Sequence, residues 1–229
     1  AVGNPDFEYL FKNGLNGVIN KIDNEIEKLQ ELPNGEKLGE SLEKRQLLQA
    51  MKITCSAVIK WSHRYAKLAE DYANKTVDEN RKAELKEIAR ICYKVPANPP
   101  ETFQEALQFF LLIHLVDHHI ERHCTGITQR LDQLFYPFFK ESVVEKQLIK
   151  EEDAQELIEC LWCKFAELGH YHIKQRRETY QGTNLLQSVT IGGVDSYGND
   201  ASNELTLMLL DATKSMRLPQ PTLALRYHS

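Results

Sequence analysis

From Asn4-Pro5 onward, apolar residues recur at helical spacing. Phe7, Leu10, Phe11, Leu15, Val18, Ile19, Ile22 and Ile26 mark one face of a helix running to about Leu32. Pro5 is suited to its first turn, while Gly14 and Gly17 weaken it and mark a close approach of backbones. Pro33-Asn34-Gly35 reads as a turn. A second, long helix follows over Leu38 to Asn74, with Ile53, Ala57, Ile59, Trp61, Tyr65 and Leu68 as its expected buried side. Asp78 is placed to cap a third, whose Ala83, Leu85, Ile88, Ala89 and Cys92 form one stripe. Pro96 to Pro100 predicts a kink rather than a domain boundary, because helical patterning resumes beyond it. Thr102 to about Glu121 is apolar nearly all round and so is expected to be buried on several sides. Leu131 to Phe139 is a short aromatic helix, ended by Pro137 and its neighbourhood. Glu151 to Leu168 is amphipathic, with Ala154, Leu157, Ile158, Leu161 and Phe165 on one face and Gly169 as its stop. The basic, polar stretch from Lys174 to Thr183 reads as a loop.

Near the end the period changes. Leu185 to Ile191 is an apolar, β-branched run halted by Gly192-Gly193, the mark of a strand and a sharp turn. Asp200 or Ser202 then caps a helix over 201–216, with Leu205, Met208, Leu209, Ala212 and Met216 at helical spacing. Pro219 and Pro221 stop it, and a second strand covers 222–228. Strand, helix and strand make a βαβ unit with two buried, parallel neighbouring strands. The chain is therefore expected to be mainly α with a βαβ unit.

Composition narrows this little. The 229 residues are 42% hydrophobic and 27% charged, which is ordinary for a globular chain. A net charge of −5, with no basic stripe among aromatics, argues against a nucleic-acid partner. The longest apolar run, Phe109 to Ile113, is broken by His114 and is too short to span a bilayer. Five cysteines, an odd number in a mainly helical chain, argue against a secreted disulfide scaffold and leave the cytoplasm as the expected compartment. The opening Ala1-Val2-Gly3-Asn4 carries no signal peptide and reads as the middle of a longer polypeptide.

Three places hold candidate chemistry. His114/His118 and His119/His123 are i, i+4 pairs, the spacing of a helical metal site. A capped or solvated helix end is the simpler reading, and no metal is expected there. Cys160-Leu161-Trp162-Cys163 is a CxxC embedded in a helical pattern with no second pair, so it reads as packing rather than zinc or redox chemistry. Arg226, His228 and Ser229 fall at the carboxyl end of a parallel strand, where α/β sheets place ligands.

The last stretch, VTIGGVDSYGNDASNELT with SMRLPQPTLALRYH, resembles the glycyl radical enzymes, the family of pyruvate formate-lyase and the radical dehydratases. Arg130-Leu131-Asp132-Gln133, followed by Leu134 to Phe139, is similar to the family's RxDQ-x-x-YP block. Arg64-Tyr65-Ala66, the 81–85 and 88–92 segments, Glu105 to Gln108 and Glu156 to Ile158 agree in order, so the likeness runs from about residue 5 to the end.

The resemblance implies a helical layer, residues 1–175, around the first strands of a ten-stranded α/β barrel beginning at 176–229. It implies a lyase acting on a small organic substrate, with a glycyl radical installed by a radical-SAM activating enzyme, and a homodimer. The family's GCVE-like cysteine loop and RVxGY-like glycine loop do not occur in these 229 residues. No catalytic residue and no cofactor is therefore assigned to this chain, which is expected to act only with the remainder of a parent polypeptide.

His123, Cys124 and Thr125 stand near the diol dehydratases' SNGHS segment, whose His and Ser touch substrate hydroxyls. With His228 and Ser229 they form the expected substrate wall. Their departure from SNGHS, and Gln129 where relatives often have Gly or Ala, argue against glycerol or propanediol. Two other readings stand beside this one: a helical, His-rich metal-binding protein and a non-catalytic helical interaction domain.

Overall fold

The structure, a computed structural model, describes residues 5–30, 38–120, 129–168, 178 and 187–227. It divides into two compact units, Asp6–Pro100 and a second made of 1–5 with 101–229.

The first unit is three helices: α1 (Phe7–Gln30), α2 (Leu38–Lys75) and α3 (Glu79–Lys94). Pro5 does not open α1. Asp6 does, its carboxylate accepting from Tyr9 N at 3.0 Å, as an N-cap side chain should. Gly14 interrupts α1 at φ 64°, ψ 177°, a region that essentially only glycine enters. The reason lies across the unit: a Cβ there would sit 2.5 Å from Ala97 O. Leu15 N and Asn16 N donate to Pro96 O and Ala97 O, both at 2.9 Å. The 96–98 segment thus belongs to the packing of α1. It lies at the end of this unit, which closes at Pro100.

Helix α2 corrects a second expectation. Ile53 is 70% exposed, and Tyr65 and Leu68 are exposed too, whereas Val58, Ser62, Ala66, Ala69 and Ala73 are buried. These mostly small residues let the neighbouring helix approach closely. Ser62 Oγ bonds Cys92 O at 2.8 Å and Val95 O at 2.9 Å, at the end of α3. Asp78 caps α3 as expected, accepting from Asn80 N and Arg81 N.

The second unit holds α4 (Phe103–Leu115), α5 (Leu131–Phe139), α6 (Glu151–Glu167), β1 (Ser188–Gly192), α7 (Glu204–Met216) and β2 (Thr222–Arg226). Thr102 and Glu105 form a capping box on α4. Phe103, Phe109 and Phe110 on α4 are fully buried. The rings of Phe103 and Phe110 meet Phe135, Phe139 and Phe165 edge-on at 5.4 to 6.5 Å, the preferred aromatic geometry. Burial of each such ring contributes about 1.5–3 kcal/mol.

Helix α4 runs on as a π-helical turn, Val116–Ile120. Helix α5 has the expected bounds, with Pro137 inside it two residues before its end, and the chain continues as a π turn, Lys140–Glu145. The wider turn, with Lys146 N bonding Glu141 O at 2.9 Å, follows directly on the position where proline removes a helical donor.

The two strands are neighbours and parallel, as the βαβ pattern required, with Ser188 opposite Thr222 and Gly192 opposite Arg226. The crossover helix starts later than expected, capped by Asn203, while Asp200 takes Ser202 N within the preceding turn. Among the described residues Val189 and Ile191 on β1 are fully enclosed, with α5 packed against that strand, while Leu225 on β2 is 55% exposed. No described helix is long and apolar enough to cross a membrane.

Candidate functional site

At the carboxyl end of β1 the chain turns off the sheet through Gly192 and Gly193, at φ 69° and 87°. Only glycine fits: a Cβ on Gly192 would lie 2.9 Å from Leu225 Cδ1, and one on Gly193 3.2 Å from Arg226 Cβ. This turn forms a rim of backbone around the end of β2, from which Arg226 and Tyr227 emerge exposed.

The Arg130-Leu131-Asp132-Gln133 block holds the rim. Arg130 pairs with Thr190 as a parallel bridge and donates from Nη1 to Val194 O at 2.9 Å. Asp132 is fully buried, and its Oδ2 accepts from Gly192 N at 2.7 Å and from Thr206 Oγ1 at 2.8 Å. Its carbonyl accepts from Asn203 Nδ2 at 3.2 Å, and Gln133 Nε2 donates to Ala201 O at 2.6 Å. Tyr136 OH bonds Glu204 Oε2 at 2.8 Å, which raises the phenol's pKa. The Glu204 carboxyl is held low, first by its own backbone N–H and then by that tyrosine.

One short helix thus fastens the end of β1 and the start of α7, segments 60 to 74 residues further on. Arg130 Nε and Nη2 and Asp132 Oδ1 are buried with no hydrogen-bond partner among the described residues. Between strand and helix, the Asp195 carboxylate accepts from Asn199 N and Tyr197 N, contacts that keep its pKa low and shape the connecting turn.

At the opposite end of β1, Gln187 lies between His114 and His118. Its Oε1 is 3.0 Å from His114 Nε2, and its Nε2 meets His118 Nε2. Its signal in the sequence is a polar residue inside an apolar β-run, which the strand pattern alone does not single out. Among the described residues no three His, Cys, Asp or Glu side chains converge as metal ligands. The side chain of His119, and His123, lie outside the described residues.

Cys55, Cys92, Cys160 and Cys163 all sit within helices, and burial pushes the Cys55, Cys92 and Cys160 thiols up. The expected substrate-facing residues His123, Cys124, Thr125, His228 and Ser229 fall outside the described residues. Their described neighbours in sequence are the Val116–Ile120 turn, Gln129 and Tyr227.

Residues 3–229 match the family model described as pyruvate formate lyase-like. The chain is 35% identical over 226 residues to the isethionate sulfite-lyase of Oleidesulfovibrio alaskensis, covering 98% of this chain and 27% of that enzyme. A glycyl radical enzyme from Archaeoglobus fulgidus superposes with a TM-score of 0.86 at 38% identity, over 97% of this chain and 28% of the other. The glycerol-bound, B12-independent glycerol dehydratase from Clostridium butyricum gives 0.87 at 33% identity, over 99% of this chain and 28% of the other. The chain thus spans little more than a quarter of the length of these relatives.

Proposed function

The chain belongs to the pyruvate formate lyase-like family of glycyl radical enzymes, and we propose on that footing that it serves as part of a cytoplasmic, anaerobic radical lyase. Residues 1–175 supply the helical layer and 176–229 the start of the barrel. The reaction cleaves a C–O, C–N, C–C or C–S bond in a small organic substrate. The sulfite-lyase and dehydratases among its relatives span two of these classes. The observation carrying this reading is the family match along residues 3–229, with the RLDQ block and the Gly192-Gly193 turn wired together as one structural node.

A glycyl radical, installed by a radical-SAM activating enzyme and relayed through a cysteine, supplies the hydrogen-atom chemistry in such enzymes. The corresponding loops are absent from these 229 residues, so this chain binds, orients and shields. Its closed aromatic core excludes water from the region behind β1, the environment that reactive radicals need. His123, Cys124, Thr125, His228 and Ser229 face the substrate. Compared with a His-Ser pair, Cys124 and Thr125 offer a weak thiol donor and one hydroxyl. A polyol relying on an imidazole at the position of Cys124 loses a buried hydrogen bond worth about 1–3 kcal/mol, roughly tenfold to a hundredfold in specificity. Glycerol is therefore disfavoured. The assembled enzyme is a homodimer.

Treated anaerobically with the activating enzyme, the isolated 229-residue chain should show no glycyl doublet by electron paramagnetic resonance and no lyase activity. A doublet from this chain alone refutes the assignment of the radical loops to another part of the polypeptide. In the complete enzyme, Thr125→Val and His228→Ala should each alter kcat/KM by roughly tenfold or more at unchanged radical content. Unchanged kinetics in both would remove these residues from the substrate wall.

A further inference from the structure

Gln187, His118 and His114 are 0%, 1% and 5% exposed, and none of them belongs to the rim held by Asp132. The two imidazoles stack, centroids 5.1 Å apart, and both point Nε2 at the same amide. An amide is asymmetric: its oxygen only accepts and its nitrogen only donates. With Oε1 toward His114, that ring must carry a proton on Nε2. With Nε2 of the amide toward His118, that ring keeps its own Nε2 bare and holds its proton on Nδ1, a buried atom with no acceptor among the described residues.

We infer that Gln187 locks His114 and His118 in opposite tautomers, forming a directional latch between the end of α4 and the start of β1. Gln187 is a positioning residue here, not a catalytic one. His118 is then a neutral base enclosed in the core. A proton added to its Nε2 would set two donors face to face. The amide must turn over to relieve this, and His114 must move its proton from Nε2 to Nδ1. One proton taken up at His118 is therefore accompanied by a change of tautomer at His114.

The elements packed around the pair present aromatic rings to it. Helix α6 presents Phe165 to His114 at 5.4 Å, and α4 itself presents Phe110 at 5.8 Å. Three charged groups on these elements have described partners away from the pair. Asp132 on α5 serves Gly192 and Thr206, while Lys164 and Glu167 on α6 pair with each other at the surface. Asp117 is the acidic neighbour of His118 on the π turn.

Nitrogen-15 NMR of histidine-labelled chain at neutral pH tests this, with the rings assigned through the backbone. His114 should show a protonated Nε2 and His118 a bare Nε2. Gln187→Glu replaces the amide with a group that accepts at both ends, so His118 Nε2 should shift to the protonated range. Gln187→Met should abolish the opposition between the rings while conserving volume. A protonated Nε2 on His118 in the unaltered chain overturns the inference. So does a His118 signal that is identical in the unaltered chain and in Gln187→Glu. Both readouts are independent of lyase activity, so they stand whatever the enzyme's substrate.

Discussion

Gly14→Ala is expected to destabilise the Asp6–Pro100 unit by about 3–5 kcal/mol. Two costs combine. The backbone at φ 64°, ψ 177° lies in a region that excludes side chains. The added methyl would also lie 2.5 Å from Ala97 O and 2.8 Å from Asn98 backbone, atoms that cannot rotate away. Movement of 96–98 would break the bonds from Leu15 N and Asn16 N as well. Gly39→Ala is the control: nothing lies within 4 Å of its added Cβ, and it sits near the start of a helix. That change should be neutral or add about 0.5–1 kcal/mol. Hydrogen exchange of α1 amides, alongside a denaturant midpoint, checks both. Protection of α1 unchanged in Gly14→Ala would show that the close approach at Ala97 does not hold in solution.

Asp132→Ala should cost about 3–4 kcal/mol, because it strands Gly192 N and Thr206 Oγ1, both buried donors to one carboxylate oxygen. Part of the loss is recovered, since Thr206 Oγ1 also lies 3.4 Å from Asn203 Oδ1. Asp132→Asn keeps an acceptor and should cost about 1–2 kcal/mol. The two variants, compared by denaturant unfolding, separate the hydrogen bonds from the volume of the side chain. Equal losses in both would mean that charge matters more than the Gly192 contact. A loss below about 1 kcal/mol in Asp132→Ala would mean that the RLDQ block does not hold the rim.

Much of the fold was legible because its causes are local. The cap at Asp78 acts within three residues. The α6 face built on Ala154, Ile158, Leu161 and Phe165 follows from helical periodicity. The parallel pairing of β1 and β2 followed from two apolar runs separated by one helix. The family, too, was legible, in the RLDQ and GGVD blocks.

Tertiary packing decided the rest. Hydrophobicity pointed to Ile53, Tyr65 and Leu68 as the inner face of α2, yet close approach of α3 selected Val58, Ser62, Ala66 and Ala69. Size and the demand of buried carbonyls at Cys92 and Val95 outweighed apolar character there. The roles of Asp132 and Gln187 were hidden as well. Each is a single polar letter whose meaning depends on partners 60 to 74 residues away, and only the folded chain brings those partners within hydrogen-bonding distance.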